Sequence, residues 1–221
     1  MSSPSEFTDM AESMHDVMSL DGDVDKLHVF YDRWAATYDA DVDVDYGMPG
    51  NVVGVLEAGL ASLANGEEVN RSIRVLDAGC GTGLVGAHLS AAGFTDLHGV
   101  DLSEEMVRHA AERGVYTSLE GGIDLSISAP EHLVKSADAV TVGGVFTVGH
   151  IPPSALSVMA SMVRPGGVLA ISTRAAYLDG TDFADVVDER VGAGELRLLV
   201  RHHDRSYTMD SNGDFWAFEV T

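Results

Sequence analysis

Two different hydrophobic rhythms divide the chain. Up to about residue 70, apolar positions recur at helical spacing: Met10, Met14 and Val17 within Thr8 to Leu20, then Val24, Leu27, Phe30, Tyr31, Trp34 and Tyr38 within Val24 to Tyr38. Residues three and four apart share one helical face, so each run predicts an amphipathic helix. NVVGVLEAGLASL, from Asn51 to Leu63, predicts a third, with Asn51 as its cap and Pro49 just upstream. The acidic stretch DADVDVDYGMPGN, from Asp39 to Asn51, reads as a loop between them.

From Ser72 the rhythm changes to short apolar runs alternating with helical patterns, which predicts a parallel sheet with helices on both faces. The strands are IRVLDA from Ile73, LHGVD ending at Asp101, a poorly marked one within Tyr116 to Leu125, ADAVTVGG and GGVLAIST. Helices are expected at Leu84 to Ala92, at Glu104 to Arg113 behind the cap Ser103, and at Pro153 to Val163. A further helix, Phe183 to Val191, precedes ELRLLVRHHDRSYTMD and GDFWAFEVT, a hairpin turning at Ser211, Asn212 and Gly213. The expected fold is α/β: a Rossmann-like, doubly wound seven-stranded sheet, mostly parallel, with an antiparallel C-terminal hairpin. Residues 1–70 form its helical cap segment and 71–221 its core, in one domain of 221 residues.

Charge narrows the range of partners. The net charge is -22, with fifteen acidic against two basic residues between Met1 and Asn70. A nucleic-acid binder needs a basic stripe to displace counterions, so no nucleic-acid partner is expected. No apolar run approaches the length of a membrane span, the N-terminus lacks the organisation of a secretory signal, and Cys80 is the single cysteine. A cytoplasmic protein without a membrane partner is expected. His202 and His203, adjacent in a strand, point to opposite faces, so no metal site is expected.

The strongest local signal is VLDAGCGTGLVG, in which a strand runs into Gly79, Gly81 and Gly83 and then into a helix. Glycines there let a ligand approach the backbone closely. GTGLVG, from Gly81 to Gly86, also fits the G-x-G-x-x-G of dinucleotide sites, with Asp101 twenty residues beyond Gly81. Asp77, at the strand end, separates the alternatives. It would repel a pyrophosphate, whereas the ammonium and sulfonium of S-adenosylmethionine would be attracted to it. A nicotinamide-dependent oxidoreductase is therefore disfavoured.

With D-x-G-C-G-T-G and a second strand ending in Asp101, the chain resembles the class I S-adenosylmethionine-dependent methyltransferases over about Ile73 to Thr173. FYDRWAATYDADV, GVDLSEEMVRHA and VGGVFTVGHIPPSAL followed by VRPGGVLAISTR more narrowly resemble methyltransferase-like proteins related to the Williams-Beuren-syndrome-region family. The resemblance implies S-adenosylmethionine as cofactor and S-adenosylhomocysteine as product. Asp77, Gly79, Cys80, Gly81 and Gly83 would meet the methionine end, and Asp101 the ribose hydroxyls. Leu102 and Met106 would flank the adenine, and Asp124 would face its amino group. Gly143 to Phe146 would line the pocket beside the sulfonium.

The same resemblance implies that the helix carrying Tyr31, Trp34 and Tyr38 closes as a lid, with Tyr38 or Tyr31 holding the cofactor carboxylate. His150, in TVGHIPP, is the best-placed titratable residue for removing a proton from a hydroxyl or ammonium acceptor. With Tyr38 it forms the expected catalytic set. Trp34, Phe146, Arg174 and Tyr177 are candidate acceptor contacts. The expected function is methyl transfer to the oxygen, nitrogen or sulfur of a neutral or cationic small molecule. The competing reading is a protein that binds the cofactor without transferring methyl.

Overall fold

The computed structural model describes residues 23–36, 38–41 and 46–221. The helix expected over Thr8 to Leu20 lies outside these residues. Helix α1 runs Val24–Trp34, where Asp23 caps it by accepting from the Lys26 N–H at 3.2 Å. It closes at Ala35, whose N–H bonds to the Tyr31 carbonyl. Tyr38 therefore opens a separate turn, α2, Tyr38–Asp41, and is not in the same helix as Tyr31 and Trp34. Helix α3, Met48–Leu63, starts three residues before the expected cap. Pro49 sits in its first turn, where a fixed φ and a missing N–H cost nothing. The Asn51 side chain donates instead to the Ser206 carbonyl at 2.8 Å.

The core follows as β1 (Arg74–Ala78), α4 (Leu84–Ala91), β2 (Asp96–Val100), α5 (Glu104–Glu112) and β3 (Ser118–Glu120). Then come β4 (Ala137–Phe146), α6 (Ala155–Ser161), β5 (Val163–Arg174), α7 (Ala175–Gly180), α8 (Phe183–Gly192), β6 (Leu196–Thr208) and β7 (Ser211–Val220). The seven strands form one sheet in the order β3-β2-β1-β4-β5-β7-β6. The first five are parallel, and β7 enters antiparallel between β5 and β6. Central strands must be apolar on both faces: Ala139, Val140, Thr141 and Val142 of β4 are all buried.

Side chains alternate between the two layers. On β7, Trp216 and Phe218 join the face covered by α6 and α8, with Leu156, Met159 and Phe183. Phe215 and Ala217 join the face covered by α3 and α4, with Val52, Leu56 and Leu89. The hairpin turns at Met209 and Asp210, ahead of the expected Ser211 to Gly213. Gly213 lies inside β7, where a Cβ would collide with the Thr173 carbonyl of β5; it serves close strand approach, not the turn. No described helix is long and apolar enough to cross a membrane.

Two glycines of α3 test this packing with opposite signs. A Cβ at Gly54 would meet nothing within 4 Å, whereas one at Gly59 would stand 2.8 Å from the Ala217 Cβ. Gly54→Ala is expected to stabilise the fold by about 0.5–1 kcal/mol, and Gly59→Ala to destabilise it by about 1–3 kcal/mol through overpacking. Thermal melts of both variants beside the parent check the pair; the same sign for both would mean that α3 does not rest on β7 at Gly59.

Candidate functional site

A cleft of about 150 Å³ opens at the carboxyl ends of the parallel strands. Gly79 and Gly81 reach it from the end of β1, Asp101 and Leu102 from β2, and Gly143 and Gly144 from β4. The strand order reverses between β1 and β4, the place where open α/β sheets hold ligands. Met106 of α5 and Asp124 of the loop after β3 form one side; Tyr31, Tyr38 and His150 form another.

The glycine loop spends its backbone donors internally. The N–H groups of Gly79 and Cys80 both donate to the Val100 carbonyl, at 2.8 and 3.0 Å, and the Gly83 N–H donates to Cys80 at 2.9 Å. The Gly81 N–H donates to one Asp101 oxygen at 2.7 Å, and the Ser103 N–H to the other at 2.9 Å. Phosphate loops work by presenting free N–H groups to an anion. These donors are already satisfied, and the Asp101 carboxylate adds negative charge, so the loop suits an uncharged ribose better than a pyrophosphate. Gly81, at φ 54°, would carry a Cβ into open space beside the cleft. Burial raises the pKa of Asp101, while the N–H groups of Ser103, Gly81 and Leu102 oppose that shift.

Asp77 stands elsewhere than expected. It is buried, accepts from Tyr116 Oη at 2.7 Å and Thr141 Oγ1 at 3.0 Å, and is not among the residues lining the cleft. The Gly86 N–H, in the first turn of α4, also bonds to it. Burial pushes its pKa up to about 6 against these donors. Tyr116 was not anticipated from the sequence, yet its ring explains three glycines. A Cβ at Gly83 would stand 3.1 Å from it, one at Gly86 would collide with its hydroxyl, and one at Gly99 would also lie 3.1 Å away. Gly83 and Gly86, but not Gly81, therefore make room for a tyrosine.

The remaining walls come from the N-terminal helix and the loop after β4. Tyr31 stacks on Trp34 with centroids 6.0 Å apart, and Trp34 meets Tyr38 edge-on at 4.7 Å. The Tyr31 hydroxyl bonds His150 Nε2. His150 Nδ1 lies 3.2 Å from the Val148 carbonyl, which fixes the neutral tautomer with hydrogen on Nδ1 and leaves Nε2 as acceptor. Burial lowers the imidazole pKa to about 4. Burial likewise raises the Tyr38 hydroxyl to about 12, opposed by a hydrogen bond from Tyr46.

Ten expected site residues line the cleft: Tyr31, Tyr38, Gly79, Gly81, Asp101, Leu102, Met106, Asp124, Gly143 and His150. Others do not. Phe146 and Tyr177 are buried in the α6–α8 layer, where their rings pack on each other and on Phe183, and Tyr177 Oη donates to the Ile151 carbonyl at 2.9 Å. Phe146 joins the core because β4 continues past Gly144, and Tyr177 joins it as the buried residue of α7. The Cys80 thiol is buried, with its pKa pushed well up, and packs near Gly99. Gly83, at φ 87°, caps α4 against α5. Trp34 lies beneath Tyr31 and Tyr38, and Arg174 covers the Tyr207 ring. Gly144 and Val145, within the expected stretch Gly143 to Phe146, line the cleft as well, whereas Tyr46 and Tyr207, near Gly144, were not anticipated.

The buried carboxylate gives a pH prediction. Because the folded pKa of Asp77 is raised from 3.8 to about 6, the folded protein holds this proton more tightly than the unfolded chain. Its contribution to stability therefore falls as pH rises from about 3.8 to 6 and is constant above. The Tm difference, Asp77→Asn minus parent, should grow across that window and then level off. A flat difference from pH 4 to 7 would mean that Asp77 ionises in the fold as it does in water.

A methyltransferase-domain profile matches residues 55–215. Human methyltransferase-like protein 27 is 38% identical over 153 residues, 67% of this chain and 58% of that protein. The ubiquinone biosynthesis O-methyltransferase of Xanthomonas oryzae pv. oryzae is 32% identical over 150 residues, 65% of this chain and 59% of the relative. The chain thus spans somewhat under two thirds of these relatives. A TehB-like S-adenosylmethionine-dependent methyltransferase of Corynebacterium glutamicum shares the fold, with a TM-score of 0.57 at 22% identity, covering 86% of this chain and 95% of its own. The chain belongs to the methyltransferase-domain family and has the class I S-adenosylmethionine-dependent methyltransferase fold.

Proposed function

We propose that the chain binds S-adenosylmethionine in this cleft and transfers its methyl group to a small-molecule acceptor. One observation carries the reading: the Asp101 carboxylate, fixed by the Gly81 and Ser103 N–H groups, lines the cleft beside a glycine loop whose Gly79, Cys80, Gly81 and Gly83 N–H groups are already bonded within the protein. Asp101 accepts from the ribose hydroxyls, Leu102 and Met106 hold the adenine faces, and Asp124 meets its amino group. Gly79 and Gly81 admit the methionine portion, with the Tyr38 hydroxyl towards its carboxylate. The bound cofactor supplies an electrophilic methyl carbon on a sulfonium; the chain supplies alignment and exclusion of water.

His150 stays neutral at physiological pH, with its Nε2 engaged by Tyr31. It acts on an acceptor proton once that hydroxyl turns away, and until then it ties α1 to the core. Two more links hold the same segment: Ser103 Oγ donates to Asp32 at 2.5 Å, and Asp39 accepts from Thr82 Oγ1 at 2.6 Å and from Arg113. We read α1 and α2 as a lid over the cofactor, latched by these bonds.

Asp101→Ala is expected to weaken S-adenosylhomocysteine binding by about 2–4 kcal/mol, roughly 30- to 1,000-fold, because two hydroxyls lose a charged acceptor. Calorimetric titration with S-adenosylhomocysteine, and with NAD as the competing cofactor, decides the matter; unchanged affinity in the folded variant removes the ribose role. Binding without turnover across a panel of acceptors would favour the non-methylating reading.

The latch makes a separate prediction. S-adenosylhomocysteine should protect 24–34 from hydrogen exchange, and Tyr31→Phe or His150→Ala should each reduce that protection. The double variant should lose no more than either single one, since one hydrogen bond is removed in all three. Additive losses would show that the two side chains act independently.

A further inference from the structure

Beside Gly144, outside the lining of the cleft, stands a group of residues that the cofactor reading does not use. Gly144, at φ 78°, lines the cleft, and a Cβ there would stand 3.6 Å from Tyr46 Oη and 4.0 Å from Tyr207 Oη. The two rings meet edge-on with centroids 6.3 Å apart. Tyr207 Oη lies 3.1 Å from Ser172 Oγ, which accepts from the Gly144 N–H at 3.0 Å, so Tyr207 is held from β4 and β5. Above it, Arg174 at the end of β5 places its guanidinium carbon 5.2 Å from the centroid of the Tyr207 ring.

Among the described residues this guanidinium has no carboxylate partner, in a chain of net charge -22. Other arginines around the sheet are paired: Arg113 with Asp39, Arg164 with Asp138, Arg201 with Asp214. The field of Arg174 reaches the hydroxyls of Tyr31, Tyr38, Tyr46 and Tyr207 and the His150 ring, favouring phenolate and neutral imidazole. Half-buried and resting on the Tyr207 ring, it is placed to meet a flat anion. Its position separates it from the cofactor. The glycine loop follows β1, whereas β5 lies on the far side of β4, about 9.6 Å across the sheet at the usual strand spacing.

We infer that Arg174 is the specificity-determining residue for the methyl acceptor, selecting a planar small molecule that carries one carboxylate, with its guanidinium held over the buried Tyr207 ring beside the cleft. The inference rests on the methyltransferase reading and reverses the neutral or cationic acceptor expected from overall charge. A polyanion is still repelled by the acidic surface, whereas one carboxylate is met by a local cation.

Benzoate and benzamide, equal in shape and different in charge, are the probes. In calorimetric titrations of the S-adenosylhomocysteine-saturated protein, benzoate should bind about tenfold more tightly than benzamide. Arg174→Gln should abolish the difference by weakening benzoate alone, and Arg174→Lys should restore part of it. Equal binding of the two by the parent protein, or a benzoate preference that survives Arg174→Gln, overturns the inference. So does a loss of S-adenosylhomocysteine affinity in Arg174→Gln without loss of 5′-methylthioadenosine affinity, which would assign the cation to the cofactor's own carboxylate. Titrations without S-adenosylhomocysteine separate the two readings: a parent protein that discriminates the probes but does not bind S-adenosylhomocysteine fails the cofactor reading and keeps the anion subsite.

Discussion

The buried carboxylate of Asp77 is the interaction on which the rest of the site depends. It lies at the end of β1 and gathers donors from Thr141 on β4, Tyr116 between α5 and β3, and the first turn of α4. A buried acid without partners would be severely penalised, so these donors must stay in place. Their positions fix the glycine loop, because Tyr116 can reach Asp77 only across Gly83 and Gly86. The N-terminal end of α4 also favours the negative charge. One carboxylate thus holds together two strands, a helix start and the loop that ligands meet, while itself remaining out of reach of the cleft.

That arrangement changes the grounds for choosing a cofactor. The sequence points to Asp77 as the group that would repel phosphate; in the structure Asp77 is buried away from the cleft, and the proposed discrimination rests on the loop backbone. Val100 accepts two loop N–H groups and Asp101 a third, so the loop is closed on itself as hydrogen bonding requires of buried donors. Asp101 then plays two parts with one carboxylate: its oxygens brace Gly81 and Ser103 and still face the cleft.

Features set by local periodicity were legible. The order of elements, the parallel sheet, the closing hairpin and the Ser103 cap all follow from spacing and capping chemistry, and the residues at the strand ends lead to most of the cleft. What was not legible depends on which face a side chain takes after a strand passes its glycines. Gly143 and Gly144 suggested that β4 ends there, but an irregularity between Val142 and Phe146 carries it on, turning Phe146 into the core and leaving Gly144 facing Tyr46. Gly213 misled in a similar way, since a glycine beside Asn212 reads as a turn until the carbonyl of Thr173 is seen against it. Tyr116 carried no signal at all; the carboxylate that it bonds lies 39 residues away along the chain.

The energetics of α1 follow from the same separation of roles. Its apolar contacts form a cluster of their own, Leu27, Phe30 and Trp34 with Tyr31, Tyr38 and Leu102 against them, apart from both layers of the sheet. A segment whose core is that small opens at a free energy well below that of global unfolding. The polar links to Ser103, Thr82 and His150 then decide how often it does so. Each joins the segment to a strand-end loop beside the cofactor cleft, so a ligand that orders those loops also strengthens the latch. In the proposed function, cofactor binding and closure of α1 are coupled through these contacts, which neither the sheet nor its two hydrophobic layers need for their own stability.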